Sequence, residues 1–188
     1  LTVTVDGAAP TGPLVAGPDN YFYGTTSLGG TNGRGTVFRI TFDGTGFQVL
    51  HHFSATTADA TTGLLENADG ALPLGGLVDG GDGNFYGVTA QGGTDGNGVI
   101  FAMPADGSTF TVLHSFTGAD GARPVAELLV ASSGKLYGAT SSGGVNSEGA
   151  TTALGTIYSI DRAGTGFARL YSFDGKNGSV PSSRLLET

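Results

Sequence analysis

The sequence predicts an all-β protein, a β-propeller-like array of three four-stranded antiparallel repeats. Three observations predict it. A block of about 51 residues recurs three times. Each copy offers four short strand candidates bounded by Asp-Gly, Asn-Gly or Gly-Gly turns. No stretch joins a sustained 3.6-residue apolar period to helix-forming residues. A β-trefoil, which also has three units of four strands, is the alternative. Against it, units of 51 to 63 residues are long, and the repeat phase overruns both ends.

Each copy opens on a turn closed by proline: Asp6–Pro10, Asp69–Pro73, Asp120–Pro124 and, opening a fourth copy, Asn177–Pro181. The first strand follows at Leu14–Val15, Leu77–Val78, Leu128–Leu129 and Leu185–Leu186. The longest helical candidate, Val125–Val130, falls in that slot and is too short to stand as a helix. The second strand carries the repeat tyrosine, 13 residues after the proline each time: Phe22-Tyr-Gly-Thr-Thr26, Phe85-Tyr-Gly-Val-Thr89 and Leu136-Tyr-Gly-Ala-Thr140. Glycine inside that motif suits a backbone approached closely by a neighbour. Gly-Gly turns at 29–30, 92–93 and 143–144 lead to the third strand, opened by Gly35, Gly98 and Gly155. Apolar residues on both faces of Val99-Ile-Phe-Ala-Met103 suggest sheets covered on both sides, as when blades stack. The fourth strand runs between phenylalanines: Phe47 to Phe53, Phe110 to Phe116 and Phe167 to Phe173.

The junction prolines lie 63, 51 and 57 residues apart, so copy one carries 12 extra residues between Phe53 and Pro73 and copy three six between Tyr137 and Gly155. One repeat domain therefore spans 1–188, with repeats at about 10–72, 73–123 and 124–180 and partial repeats at 1–9 and 181–188. Composition narrows the function. A net charge of −8 repels phosphate backbones and argues against nucleic acid. The absence of cysteine excludes disulfides, thiolate metal sites and cysteine nucleophiles. No apolar run reaches the ~18 residues of a membrane span.

The order Leu-Tyr-Gly-x-Thr, Gly-Gly, Gly-Thr-Val-Phe, Leu-x-Ser-Phe, Asp-Gly-x-x-Pro resembles the GloVer tandem-repeat family over essentially the whole chain. That resemblance implies propeller-like arrays in bacterial extracellular or cell-surface proteins, and it brings no catalytic residues.

Candidate chemistry is sparse. His51 and His114 share one repeat slot, filled by Tyr171 in copy three; His52 aligns with Ser115 and Ser172. A general base need not recur at a packing position, so packing is the expected role. Tyr23, Tyr86 and Tyr137 are candidates for stacking on sugars if they point outward, but their presence in every copy fits core packing better, with the hydroxyl bonded nearby. Asp79 and Asp82 place carboxylates close together in a turn, a weak calcium pattern; no other cofactor is suggested. The Thr-rich insertions offer O-glycosylation positions at Thr56, Thr57, Thr61, Thr62, Thr151 and Thr152. Asn177-Gly-Ser179 matches the N-glycosylation pattern, a motif of low specificity. The non-repeated acids Glu66, Glu127 and Glu148 are candidates for a glycosidase pair, but nothing brings two together.

The expected function is a non-enzymatic secreted or cell-surface scaffold for assembly or binding. Its expected partner is itself, as homo-oligomer or filament, or further repeats of a longer chain, with glycan as a further ligand. The alternative is a propeller that binds or degrades polysaccharide.

Overall fold

The computed structural model describes residues 4–146, 149–150 and 153–188. Among them every regular element is a strand. The first sheet holds β1 (Ala8–Pro10), β2 (Val15–Ala16), β3 (Tyr21–Leu28), β4 (Thr36–Thr41) and β5 (Gln48–His52). A hairpin of β6 (Thr57–Ala58) and β7 (Leu65–Glu66) follows. The second sheet holds β8 (Val78–Asp79), β9 (Asn84–Thr89), β10 (Val99–Pro104) and β11 (Thr111–Ser115). The third holds β12 (Ala122–Pro124), β13 (Leu129–Val130), β14 (Lys135–Ser142), β15 (Thr156–Asp161) and β16 (Ala168–Ser172).

All pairing within the three sheets is antiparallel, and each is a meander of four strands. β1 and β2 both pair with β3, through Pro10↔Thr26 and Val15↔Tyr23, so they are two halves of one interrupted first strand. β12 and β13 divide the same way on β14. In the second sheet the first half shrinks to the single bridge Ala71↔Gln91. The expected helical candidate ends in β13, so strand pairing wins there. The trefoil alternative falls with the same observation: the units form three separate sheets.

The Tyr-Gly-x-Thr motif has a local cause. Gly24, Gly87 and Gly138 lie directly across from Phe38, Phe101 and Tyr158, whose rings cover the space a Cβ would take. Two residues on, the hydroxyls of Thr26, Thr89 and Thr140 each accept the N–H that opens the third strand, from Thr36, Val99 and Thr156, all at 3.1 Å.

The cores lie between sheets. Tyr23, Val37 and Phe53 of the first sheet pack on Leu77, Phe85, Phe101 and Met103 of the second. One repeat later, Tyr86, Ile100 and Phe116 pack on Leu128, Leu136, Tyr158 and Ile160. Two sheet faces that are both apolar thus become one buried layer, each large side chain contributing roughly 1.5–3 kcal/mol.

The proline joins the sheets. Pro73, Pro124 and Pro181 sit against Gly35, Gly98 and Gly155 of the preceding sheet, where a Cβ would collide with the ring. The residue before each proline, Leu72, Arg123 and Val180, has φ of 57°, 55° and 52°. A non-glycine residue there costs about 1–2 kcal/mol. Its N–H recovers a bond across the junction, to Arg34 O at 3.0 Å, Asn97 O at 2.9 Å and Leu154 O at 2.7 Å.

Candidate functional site

The histidines sit in these junctions. His51, near the end of β5, stacks on Phe110 of the next sheet with ring centroids 3.9 Å apart and meets Phe53 edge-on. Its Nε2 lies 2.9 Å from Asp69 Oδ2. His114 repeats the arrangement on Phe167 (3.7 Å), Phe116 and Asp120 (2.9 Å). Ser54 beside the first pair donates to Asp69, through Oγ at 3.0 Å, and not to the imidazole. Three residue types of a hydrolytic triad are therefore present with the order of contacts wrong for activating the serine. Burial pushes the Asp120 carboxyl up, but the bonds from His114 and the Thr117 N–H, with the charge of His114, outweigh it and hold the carboxyl below its usual range. His52 stays local, its Nδ1 accepting the Thr31 N–H at 3.3 Å.

The repeat tyrosines are structural as well. Tyr23 and Tyr86 are 0% and 2% exposed, so no ring face is open to a sugar, which corrects their candidacy as stacking platforms. Their hydroxyls donate to Asp19 at 2.7 Å and Asp82 at 2.8 Å. Burial first, and these carboxylates second, push both phenols up to about 12. Tyr137 differs: it is half-buried and lines a groove of about 370 Å³ with Leu129, Leu185 and Leu186. The calcium candidates are engaged in turns. Asp79 Oδ1 accepts the Gly81 N–H, and Asp82 holds the Asn84 N–H, the Tyr86 hydroxyl and, at 3.7 Å, Arg162. Among the described residues no group of three or more His, Cys, Asp or Glu converges as a metal site would need.

The insertion of copy one departs from the repeat and builds a cleft of its own. Asn67 anchors it, donating to Ser54 O and Gly70 O and accepting the N–H groups of Gly70 and Gly93. The hairpin β6–β7 is thereby laid over the Gly-Gly turn of the second sheet, Leu64 covering Gly96. Between hairpin and rim opens a cleft of about 420 Å³ lined by Thr62, Leu64, Glu66, Asp95, Asn97 and Thr117, among others. A second, of about 380 Å³, shares Leu64 and Asn97 and adds Gln91, Arg123 and Ser142.

Of the expected acids, Glu66 lines the first cleft, whereas Glu127 lies in the turn of the third sheet's first strand, 3.6 Å from Arg184. Glu148, Thr151 and Thr152 lie outside the described residues. Thr57 and Thr61 are exposed. Thr62 is exposed, with its hydroxyl on Asp59 at 2.8 Å. The Thr56 hydroxyl is buried without a partner, which removes it as a glycosylation position. Asn177 Nδ2 donates to Tyr171 at 3.2 Å.

The sequence reading missed Asp69 and Asp120 as partners of the histidines. The signal was present: where His gives way to Tyr171, the aligned aspartate gives way to Asn177. It also missed Asp95, Asn97 and Thr117, because only the placement of the insertion brings them to one cleft.

The sequence model of a family described as the Gloeobacter/Verrucomicrobia repeat matches residues 2–188. No curated protein matches. Among solved structures, the fold is similar to a β-propeller-type chain in the crystal structure of a nidogen/laminin complex, with a TM-score of 0.58. Identity is 15% over 93% of this chain, which spans about half (51%) of the other. At that identity the likeness concerns the fold alone.

Proposed function

The chain belongs to the Gloeobacter/Verrucomicrobia repeat family, and from that membership we propose a non-enzymatic scaffold, extracellular or at the cell surface, that works by assembly or binding. One observation carries the reading: the polar groups shared by copies one and two are committed to bonds within the chain, the histidines to the linkers between sheets and the tyrosines to turns of their own sheets. His51 and His114 pair with Asp69 and Asp120 in those linkers, and Tyr23 and Tyr86 bond Asp19 and Asp82. A side chain so fixed is a poor proton shuttle, since a general base must reach its substrate within about 3 Å. The extracellular setting rests on the family resemblance and the acidic, cysteine-free composition.

The insertion cleft supports a second reading, polysaccharide binding or cleavage, because it places the carboxylates of Glu66 and Asp95 beside Asn97 and Thr117. A panel of polysaccharides, assayed for both retention and new reducing ends, separates the two. Retention without turnover fits the scaffold. Turnover lost in Glu66→Gln with an unchanged melting curve would replace it with the enzyme.

A further inference from the structure

We propose that the back face of the first sheet is a docking surface for the front face of the third sheet in a second copy of this chain, joined head to tail. The inference rests on the scaffold reading above and names its partner. Front here means the face toward the following sheet, and back the face toward the preceding one.

Both junctions inside the chain use the same back-face positions. They are Leu77, Phe85, Phe101, Met103 and Phe110 in one, and Leu128, Leu136, Tyr158, Ile160 and Phe167 in the other. The first sheet carries Leu14, Phe22, Phe38, Ile40 and Phe47 at those positions. The rim of this face is open: Leu14 is 51% exposed and Phe47 44%, Phe22 and Ile40 are half-buried, and Phe38 alone is buried, stacked on Phe47 of the same sheet. Phe47 occupies the place where Phe110 and Phe167 each lie under a histidine ring. The front face of the third sheet supplies the complement. Tyr137, Ile157 and Phe173 stand where Tyr86, Ile100 and Phe116 stand one copy earlier, and Tyr171, 41% exposed, holds the histidine slot. Tyr171 of one copy and Phe47 of the next would form the stack that His114 and Phe167 form within one chain.

Backbone geometry points the same way. Ala9 has φ of 54°, the pre-proline conformation that at every other junction directs an N–H to the preceding sheet. In the first sheet that conformation is held without a preceding sheet among the described residues. The two faces are different patches of one molecule, so the contact is heterologous. It closes if the rotation allows, as a six-bladed ring of two copies, and otherwise propagates as a filament.

One element competes. Val180 and Pro181 already fill the joint on the third sheet, at Leu154 O and Gly155. A second copy therefore docks fully by exchanging its Ala9–Val15 for Val180–Leu186 in a single slot. Leu185 corresponds to Leu14, so loosening the Val180–Leu186 segment should favour the exchange.

The test is light scattering behind a sizing column, across a concentration series of the full 188-residue chain. The expected mass rises with concentration through multiples of 18.7 kDa. Phe47→Ser and Tyr171→Ser should each weaken association by about 10-fold or more, as loss of an aromatic anchor does. Leu185→Ser should strengthen it. Both ring substitutions are at exposed positions, and unchanged circular dichroism and melting would confirm that fold is retained. A single 18.7 kDa species for both the intact chain and Leu185→Ser, at the highest soluble concentration, overturns the docking. So does association that persists unchanged in Phe47→Ser. Neither result touches the scaffold reading, which fails only by turnover of a polysaccharide.

Discussion

Tyr158 is the sharpest point at which to test the account of the junctions. Its ring is fully buried between the second and third sheets, in edge contact with Phe116 and against Phe167. Its hydroxyl is buried too and has no hydrogen-bond partner. Burial pushes the phenol far above its ordinary range, so the group stays neutral, an O–H donor with nothing to donate to. The same position is Phe38 in copy one and Phe101 in copy two, each with its ring over the equivalent glycine. Tyr158→Phe therefore removes the unpaired hydroxyl and leaves a side chain the repeat already accommodates. An unsatisfied buried hydroxyl costs about 1–3 kcal/mol. Allowing for a small void where the oxygen was, the expected gain is about 1–2 kcal/mol, or roughly 3–6 °C in melting temperature for a chain of this size. Tyr23→Phe and Tyr86→Phe are the controls, because their hydroxyls hold Asp19 and Asp82. Each should lose about 0.5–1.5 kcal/mol. Urea titrations of all three, compared by midpoint at constant slope, give opposite signs if the argument holds. A destabilised Tyr158→Phe with unchanged slope refutes it.

Other expectations follow from the same contacts. Asp120 has a folded carboxyl held below its ordinary range, so its contribution to stability is present above a pH of about 4 and is lost as pH falls through the folded value. Asp120→Asn should lower stability at pH 7 by about 1–2 kcal/mol and flatten the acid limb of a stability–pH profile; an unchanged limb excludes this carboxylate. Gly98→Ala puts a Cβ into Thr89 O and against the Pro124 ring at a φ of 98°, and should cost about 2–4 kcal/mol by urea denaturation. Glycopeptide mass spectrometry of protein from its native host should place any O-linked sugar on Thr57 or Thr61 and never on Thr56. The scaffold reading needs no cofactor, so EDTA should leave the melting temperature unchanged; a drop that Asp79→Asn abolishes would place an ion at the Asp79–Asp82 turn.

The fold was legible because its determinants are short-range and repeated. Tyr-Gly-x-Thr needs only the strand beside it, where an aromatic ring fills the space over glycine. The prolines have a role the sequence did not disclose: each packs on a glycine of the preceding sheet, while the residue before it crosses the junction. The recurrence of the tyrosines favoured burial, although alternation along a strand gives two faces without saying which are covered. In a stack, both are. Tyr137 alone keeps an open side, because what covers Tyr23 and Tyr86 is the next sheet. The cleft was illegible altogether. Its walls come from copy one, from the Gly-Gly turn of copy two and from the linker into copy three, and only the bonds of Asn67 bring them to one place.

Junction and rim therefore meet different physical demands, and the exchange of His–Asp for Tyr–Asn between copies shows the first. At the His51 and His114 junctions, a ring stacked on the next sheet is tied to the linker that leads there. In copy three, Tyr171 and Asn177 keep the tie at 3.2 Å without an ionisable pair. The position demands a flat ring with a polar tip and a partner in the linker, not a particular charge. A residue chosen for proton transfer would not tolerate that exchange, whereas one chosen for shape and a single bond would. The insertion faces no such demand: it is absent from copy two, and its anchoring asparagine serves it alone. On the second reading proposed above, in which the insertion cleft binds polysaccharide, transplanting the 54–67 segment to the equivalent rim of copy two should carry retention on a polysaccharide column with it, without altering how the blades stack.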